Sequence, residues 1–137
     1  MNGKGDRVMR EILFRGQRVD NEQWIEGSLI VVSEDYGYLL YYILTQDNVQ
    51  RIVFSNTVGQ YTGLKDKNGV KIFEGDILDC GDRVVRVTWH KNCGTWDSEF
   101  IKYKGERNSS GIEAKDWCFR AEVIGNIHDN HELLEVE

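Results

Sequence analysis

The apolar residues of this chain come in short runs at strand spacing, broken every few positions by Gly, Asn or Asp. Nowhere do they form a helical stripe longer than about two turns. Such a chain can bury its apolar side chains only by pairing many short strands, so the expected class is all-β, as a barrel or a sandwich. Gln23 to Val32 and Tyr36 to Thr45, separated by Ser33-Glu34-Asp35, are rich in Val, Ile, Leu and Tyr and read as strands of a hairpin or meander. Val49 to Phe54 adds a shorter strand. Val49, Arg51 and Val53 share one of its faces, and Gln50, Ile52 and Phe54 share the other, which is the face expected to turn inward.

Turn chemistry is clearest in the middle of the chain. Asp66-Lys67-Asn68-Gly69 suits a type I turn closed by Gly69 at positive φ, and Gly81-Asp82 between Asp76–Cys80 and Arg83–His90 suits a type II′ hairpin. In the second strand of that hairpin Val85, Val87 and Trp89 point one way and Val84, Arg86 and Thr88 the other. Glu99 to Tyr103 reads as a further strand, Lys104 to Lys115 as a long loop, and Trp117 to Ile124 as a strand with Trp117, Phe119, Ala121 and Val123 on one face. A helical turn capped by Asn130 is expected near the end.

With 137 residues, of which 40% are hydrophobic, the chain is long enough for one core and too short for two ordinary domains. Proline is absent, so the turns rest on 14 Gly together with Asn and Asp. The three cysteines, Cys80, Cys93 and Cys118, are too few and odd in number for a secreted disulfide framework. The longest apolar run, Tyr38 to Leu44, falls far short of the roughly 20 residues that cross a bilayer, and no signal peptide opens the chain, so a cytoplasmic location is expected. Residues 1–8 read as a loosely ordered extension and Met9 as an alternative start. The formal net charge of −6 is uneven. Lys4, Arg7, Arg10, Arg15 and Arg18 against Asp6 and Glu11 give residues 1–18 a charge of +3, leaving −9 for the rest. A body of that sign repels phosphate backbones, so nucleic acid is a disfavoured partner.

Enzyme-like chemistry finds little support in the spacing of residues. His90 with Cys93 and His128 with His131 each place two metal-ligand types three residues apart, but neither a Cys-x₂-Cys partner nor a His-Glu-x-x-His helix accompanies them, so no metal site is expected. Glu74, Asp76 and Asp79 cluster in sequence as acid–base pairs do, yet turn chemistry accounts for them. No phosphate loop, dinucleotide motif or nucleophile elbow occurs. The expectation is no catalytic residue, no cofactor and no small-molecule ligand.

One long block has a distinct pattern. Thr57-Val58-Gly59-Gln60-Tyr61-Thr62-Gly63-Leu64-Lys65-Asp66-Lys67-Asn68-Gly69-Val70-Lys71-Ile72-Phe73-Glu74-Gly75-Asp76-Ile77-Leu78 closely resembles the central signature of the YopX family, and Met9 to Gly16, Trp24-Ile25-Glu26-Gly27 and Glu122-Val123-Ile124-Gly125-Asn126-Ile127 agree with it. The family commonly has Pro before the final Glu-Leu-Leu, where this chain has His131. The resemblance implies an SH3-like small barrel with an additional N-terminal β hairpin or meander, and a phage or prophage context. It carries no catalytic or cofactor-binding residue across to this chain. The expected division is residues 1–8 as extension, 9–56 as an N-terminal β region and 57–137 as the barrel region, with 9–56 and 57–137 forming one cooperative unit.

Exposed aromatics are the better raw material for function. Tyr36, Tyr38 and Tyr42 share strand parity while Tyr41 faces the other way, so one set is expected in the core and the other against a partner. Trp96, read as a loop aromatic between two turns, is a candidate anchor. The expected function is a noncatalytic phage or prophage module that binds a protein partner or self-associates into an oligomer, away from membranes. The alternatives are a nucleic-acid-binding small barrel and an undescribed enzyme.

Overall fold

The computed structural model describes residues 9–105 and 112–135; the expected N-terminal extension and the middle of the 104–115 loop lie outside them. The mainly β expectation holds. Strands β1 (Phe14–Gln17), β2 (Trp24–Ser33), β3 (Leu39–Leu44), β4 (Gln50–Ile52), β5 (Gly59–Lys65) and β6 (Lys71–Phe73) form an antiparallel sheet in the order β4-β3-β2-β1-β5-β6. A second antiparallel sheet, in the order β10-β7-β8-β9, is made by β7 (Asp76–Asp79), β8 (Arg83–His90), β9 (Thr95–Tyr103) and β10 (Glu122–Asn126).

The second sheet carries most of the core. Residues alternate across β7 and β8, and both faces of these strands are covered. Leu78, Val85 and Val87 pack with Ile72, Cys80, Ile112, Trp117 and Ala121 on one side, while Ile77 and Val84 pack with Ile101, Ile127, Leu133 and Leu134 on the other. The Gly81-Asp82 turn joins β7 to β8 as expected, with Gly81 at φ +94°. Asp66 ties the two sheets together. Its carboxylate accepts the Asn68 and Val70 amides of its own turn through Oδ1 and the Val123 amide of β10 through Oδ2, each at 2.9 Å. Gly69 closes that turn at φ +80°. A β-branched residue is strained at positive φ, so Gly69→Val and Gly81→Val should each lower stability by about 1–3 kcal/mol. Wild-type urea midpoints for both variants would remove these assignments.

Three local expectations are corrected. Trp117–Arg120 is a short helix, α1, and the strand begins only at Glu122. Helical geometry buries Trp117 and Ala121, four positions apart, and leaves Phe119 exposed. In the strand expected from Val49 to Phe54, of which only Gln50–Ile52 is β4, it is Val53 that is buried, while Ile52 and Phe54 are exposed. Val53 bridges to Arg18 and packs in the space left by Gly16, where a Cβ would lie 2.9 Å from the Val53 side chain. At the C-terminus His131–Leu134 forms the expected helical turn, but Asn130 does not cap it. The Asn130 Oδ1 instead accepts the Asn126 amide at 3.1 Å.

Candidate functional site

β2 pairs with β1 only over residues 24–27, and from Ser28 onward its strand partner is β3. The chain therefore extends a hairpin arm, residues 28–44, whose base is fixed where a Cβ on Gly27 would fall on the Leu44 carbonyl oxygen. Cross-strand neighbours share a face. One face of the arm carries Ile30, Tyr42 and Ile52 in a row with Val32 and Leu40 beside them, and the other carries Leu29, Val31, Tyr41 and Ile43. Both faces are thus apolar, yet only Ile43 is fully buried. β4 covers only Tyr42 to Leu44, so beyond them the arm is two-stranded, and such a segment gains little stability by itself in water.

The arm turns at residues 34–38, where the Glu34 amide donates to the Tyr38 carbonyl at 2.7 Å. Tyr36 sits in that turn at φ +71°, so the strand parity expected for Tyr36, Tyr38 and Tyr42 fails. Tyr36 is 98% exposed and Tyr38 69%, while Tyr42 is half-buried near the base. Neither tyrosine set enters the core. Glu34 and Asp35 flank the exposed rings, and Lys and Arg are absent from residues 28–44.

Trp96 lies apart from the arm, in the other sheet. It belongs to β9 and not to a loop, which corrects the expectation, because β9 starts at Thr95 immediately after the turn. Trp96 pairs with Trp89 of β8, ring centroids 4.8 Å apart and nearly edge-on, with Trp89 the more exposed. His90 and Cys93 lie in the connecting turn, where His90 Nδ1 accepts the Cys93 amide at 3.2 Å. Among the described residues no group of three or more His, Cys, Asp or Glu is arranged to hold a metal ion.

A second concentration of chemistry lies where the two sheets meet, and sequence reading did not single it out. Arg15 of β1 pairs with buried Asp76 of β7 at 2.7 Å, and its guanidinium carbon lies 5.1 Å from the Trp24 ring and 4.9 Å from the Phe73 ring. Asp76 Oδ2 accepts the Phe73 amide at 2.7 Å. Burial pushes the Asp76 carboxyl above its ordinary range, against the opposing pull of Arg15 and the Phe73 amide. Trp24 donates its indole N–H to Asp129 at 2.7 Å and packs against His128 at 5.7 Å. Asp76 and Asp79, near neighbours in sequence, take different partners: Asp76 is buried with Arg15 and Asp79 meets Lys104 at 2.5 Å, while only the backbone carbonyl of Glu74 accepts from Arg15. Beside the junction a groove of about 380 Å³ is lined by Gln17, Asn56, Arg86, Ile127, His128 and His131, among others.

Burial first, and then Arg15, hold the His128 imidazole below its ordinary 6.5, with Asp129 opposing and His131 reinforcing. The unfolded chain therefore takes up this proton at higher pH than the native one. Stability contributed by His128 is complete above the unfolded value and is lost as pH falls toward the folded one. Urea midpoints should fall from pH 7.5 to pH 5.5 in wild type and fall less in His128→Gln; equal slopes would contradict the assignment.

The family model described as YopX protein matches residues 13–135. No curated protein matches the chain. Among solved structures, protein EF1440 from Enterococcus faecalis is similar, with a TM-score of 0.57 and 26% identity over 93% of this chain and 100% of that one. The matched span includes every residue of the junction, Arg15, Trp24, Phe73 and Asp76 among them.

Proposed function

The chain belongs to the YopX family, and from that premise we propose that it is a noncatalytic phage or prophage accessory module. In this reading it binds a protein partner or its own copy through the β2–β3 arm, within the host cytoplasm. The observation that carries the reading is the arm itself, apolar on both faces with Tyr36 and Tyr38 turned into solvent. Exposed contiguous apolar surface is costly to keep and marks an interaction site. The junction of Arg15 and Asp76 serves as the rigid mount from which the arm projects.

The test is hydrogen–deuterium exchange on the full chain in host extract, compared with Tyr36→Ser/Tyr38→Ser. Slowed exchange confined to residues 28–44 in wild type and absent in the variant supports the reading. Slowing elsewhere, with none on the arm, overturns it. The nucleic-acid alternative meets the −9 body charge. Dissociation constants for random single-stranded and duplex DNA near physiological salt should be weaker than about 10 μM. Fluorescence anisotropy showing submicromolar, salt-sensitive binding that survives Arg10→Gln and Arg18→Gln would favour the nucleic-acid reading; Arg15 is left intact because it holds buried Asp76.

A further inference from the structure

The two longest hairpins end in tips of opposite character. The β2–β3 tip presents Tyr36 and Tyr38 beside Glu34 and Asp35, and neither acid has an ion-pair partner among the described residues. The β8–β9 tip presents the Trp89–Trp96 pair beside Lys91, likewise unpaired among the described residues; the turn from Thr88 to Trp96 holds no acid, and exposed Asp97 follows it opposite Thr88, on the other face of the strands from the Trp pair. Both tips carry aromatic surface, and beside it one has two acids and no cation while the other has Lys91.

From this complementarity, and resting on the binding reading above, we propose that the chain associates head to tail with a second copy. The Tyr36–Tyr38 tip of one molecule seats on the Trp89–Trp96 tip of the next, with Glu34 and Asp35 against Lys91. Tyrosine and tryptophan suit such a contact because each couples a large apolar body to a polar edge. Tyr36 and Tyr38 together offer on the order of 300 Å², less than half of the roughly 800 Å² per partner in a standard interface. The association is therefore weak for a single contact. The two surfaces differ, so the contact is heterologous and leaves a free tip at each end of a pair, which extends the assembly until a ring closes.

Sedimentation equilibrium on the full chain, from about 5 to 200 μM, tests this. The weight-average mass of wild type should rise with concentration and rise less in high salt. Lys91→Glu and the double change Glu34→Lys/Asp35→Lys should each weaken association by about tenfold or more, with circular dichroism spectra unchanged. An equimolar mixture of the two charge-reversed proteins should recover association that neither has alone, because reversed tips then meet reversed tips. A wild type that stays monomeric throughout, a Lys91→Glu variant that associates as wild type does, or a mixture that remains monomeric would overturn the proposal. If wild type is monomeric while extract still protects residues 28–44, the head-to-tail contact falls and the binding reading stands.

Discussion

Asp76→Ala is expected to destabilise the chain by about 3–5 kcal/mol, among the largest effects any single change should produce. Asp76 is buried, and its two carboxylate oxygens are both engaged, one by Arg15 and one by the Phe73 amide. Removing it leaves a guanidinium held between Trp24 and Phe73 with no counter-charge, and its Nε already lacks a hydrogen-bond partner. It also orphans the Phe73 amide at the start of the turn into β7. The large cost is that of an uncompensated buried charge, which is distinct from the net worth of the pair. Burial holds Asp76 above its ordinary range, so the native chain retains this proton to higher pH than the unfolded chain. Its contribution to stability is fullest in acid and declines as pH rises through that range. The double change Arg15→Met/Asp76→Ala should accordingly cost much less than the sum of Arg15→Met and Asp76→Ala. Urea unfolding of the three variants checks this, and additive losses would show that the two residues do not act as a pair.

The expected effect reaches the proposed binding arm, because Arg15 lies on β1 and Trp24 opens β2, the strand that becomes the arm. β1 holds β2 in register from Trp24 to Gly27, and His128 and Asp129, in the turn after β10, hold Trp24 from the other side. The arm departs from the core where β2 leaves β1 for β3, and that departure is its base. The junction supplies that base from charges and aromatics distant in sequence. The groove beside it follows from the same meeting of sheets and needs no separate cause.

Features set by neighbouring residues were legible in the sequence. Asp66 to Gly69 and Gly81-Asp82 specify their turns because side-chain acceptors and positive φ act within a few residues. The alternation of β8 was legible for the same reason, since each residue's face is fixed by its neighbour's. The inward face of Val49 to Phe54 was not, because Val53 is drawn inward by the gap at Gly16, which local periodicity cannot register. Tyr36 was named as a contact residue, but its position in a left-handed turn depends on how β2 and β3 close, since a bulky residue rarely takes positive φ. Arg15 and Asp76 meet across distant parts of the chain, and no spacing rule pairs them. The family segments containing them were visible, and what those segments share was visible only once they converged.

Trp117 and Phe119 test the most instructive of these differences. On a strand the two would share a face, and replacing either would open a similar hole. In the structure they belong to α1, which places Trp117 and Ala121 inward and turns Phe119 away from the core. Trp117 is wholly buried among Ile72, Leu78, Val85, Val87 and Ile112, side chains from three strands and from the segment leading into the helix. Truncating it removes the contacts of a large ring and leaves a cavity that the surrounding strands cannot collapse into without disturbing their register. Trp117→Ala should therefore cost about 3–5 kcal/mol, while Phe119→Ala should stay within about 0.5 kcal/mol of wild type. Both can be read from urea midpoints by circular dichroism at the same wavelength. Comparable losses from the two would restore the strand reading of this segment. A large loss from Trp117→Ala alone would fix it as a helix, one that closes the core beneath β7 and β8 with a single aromatic side chain.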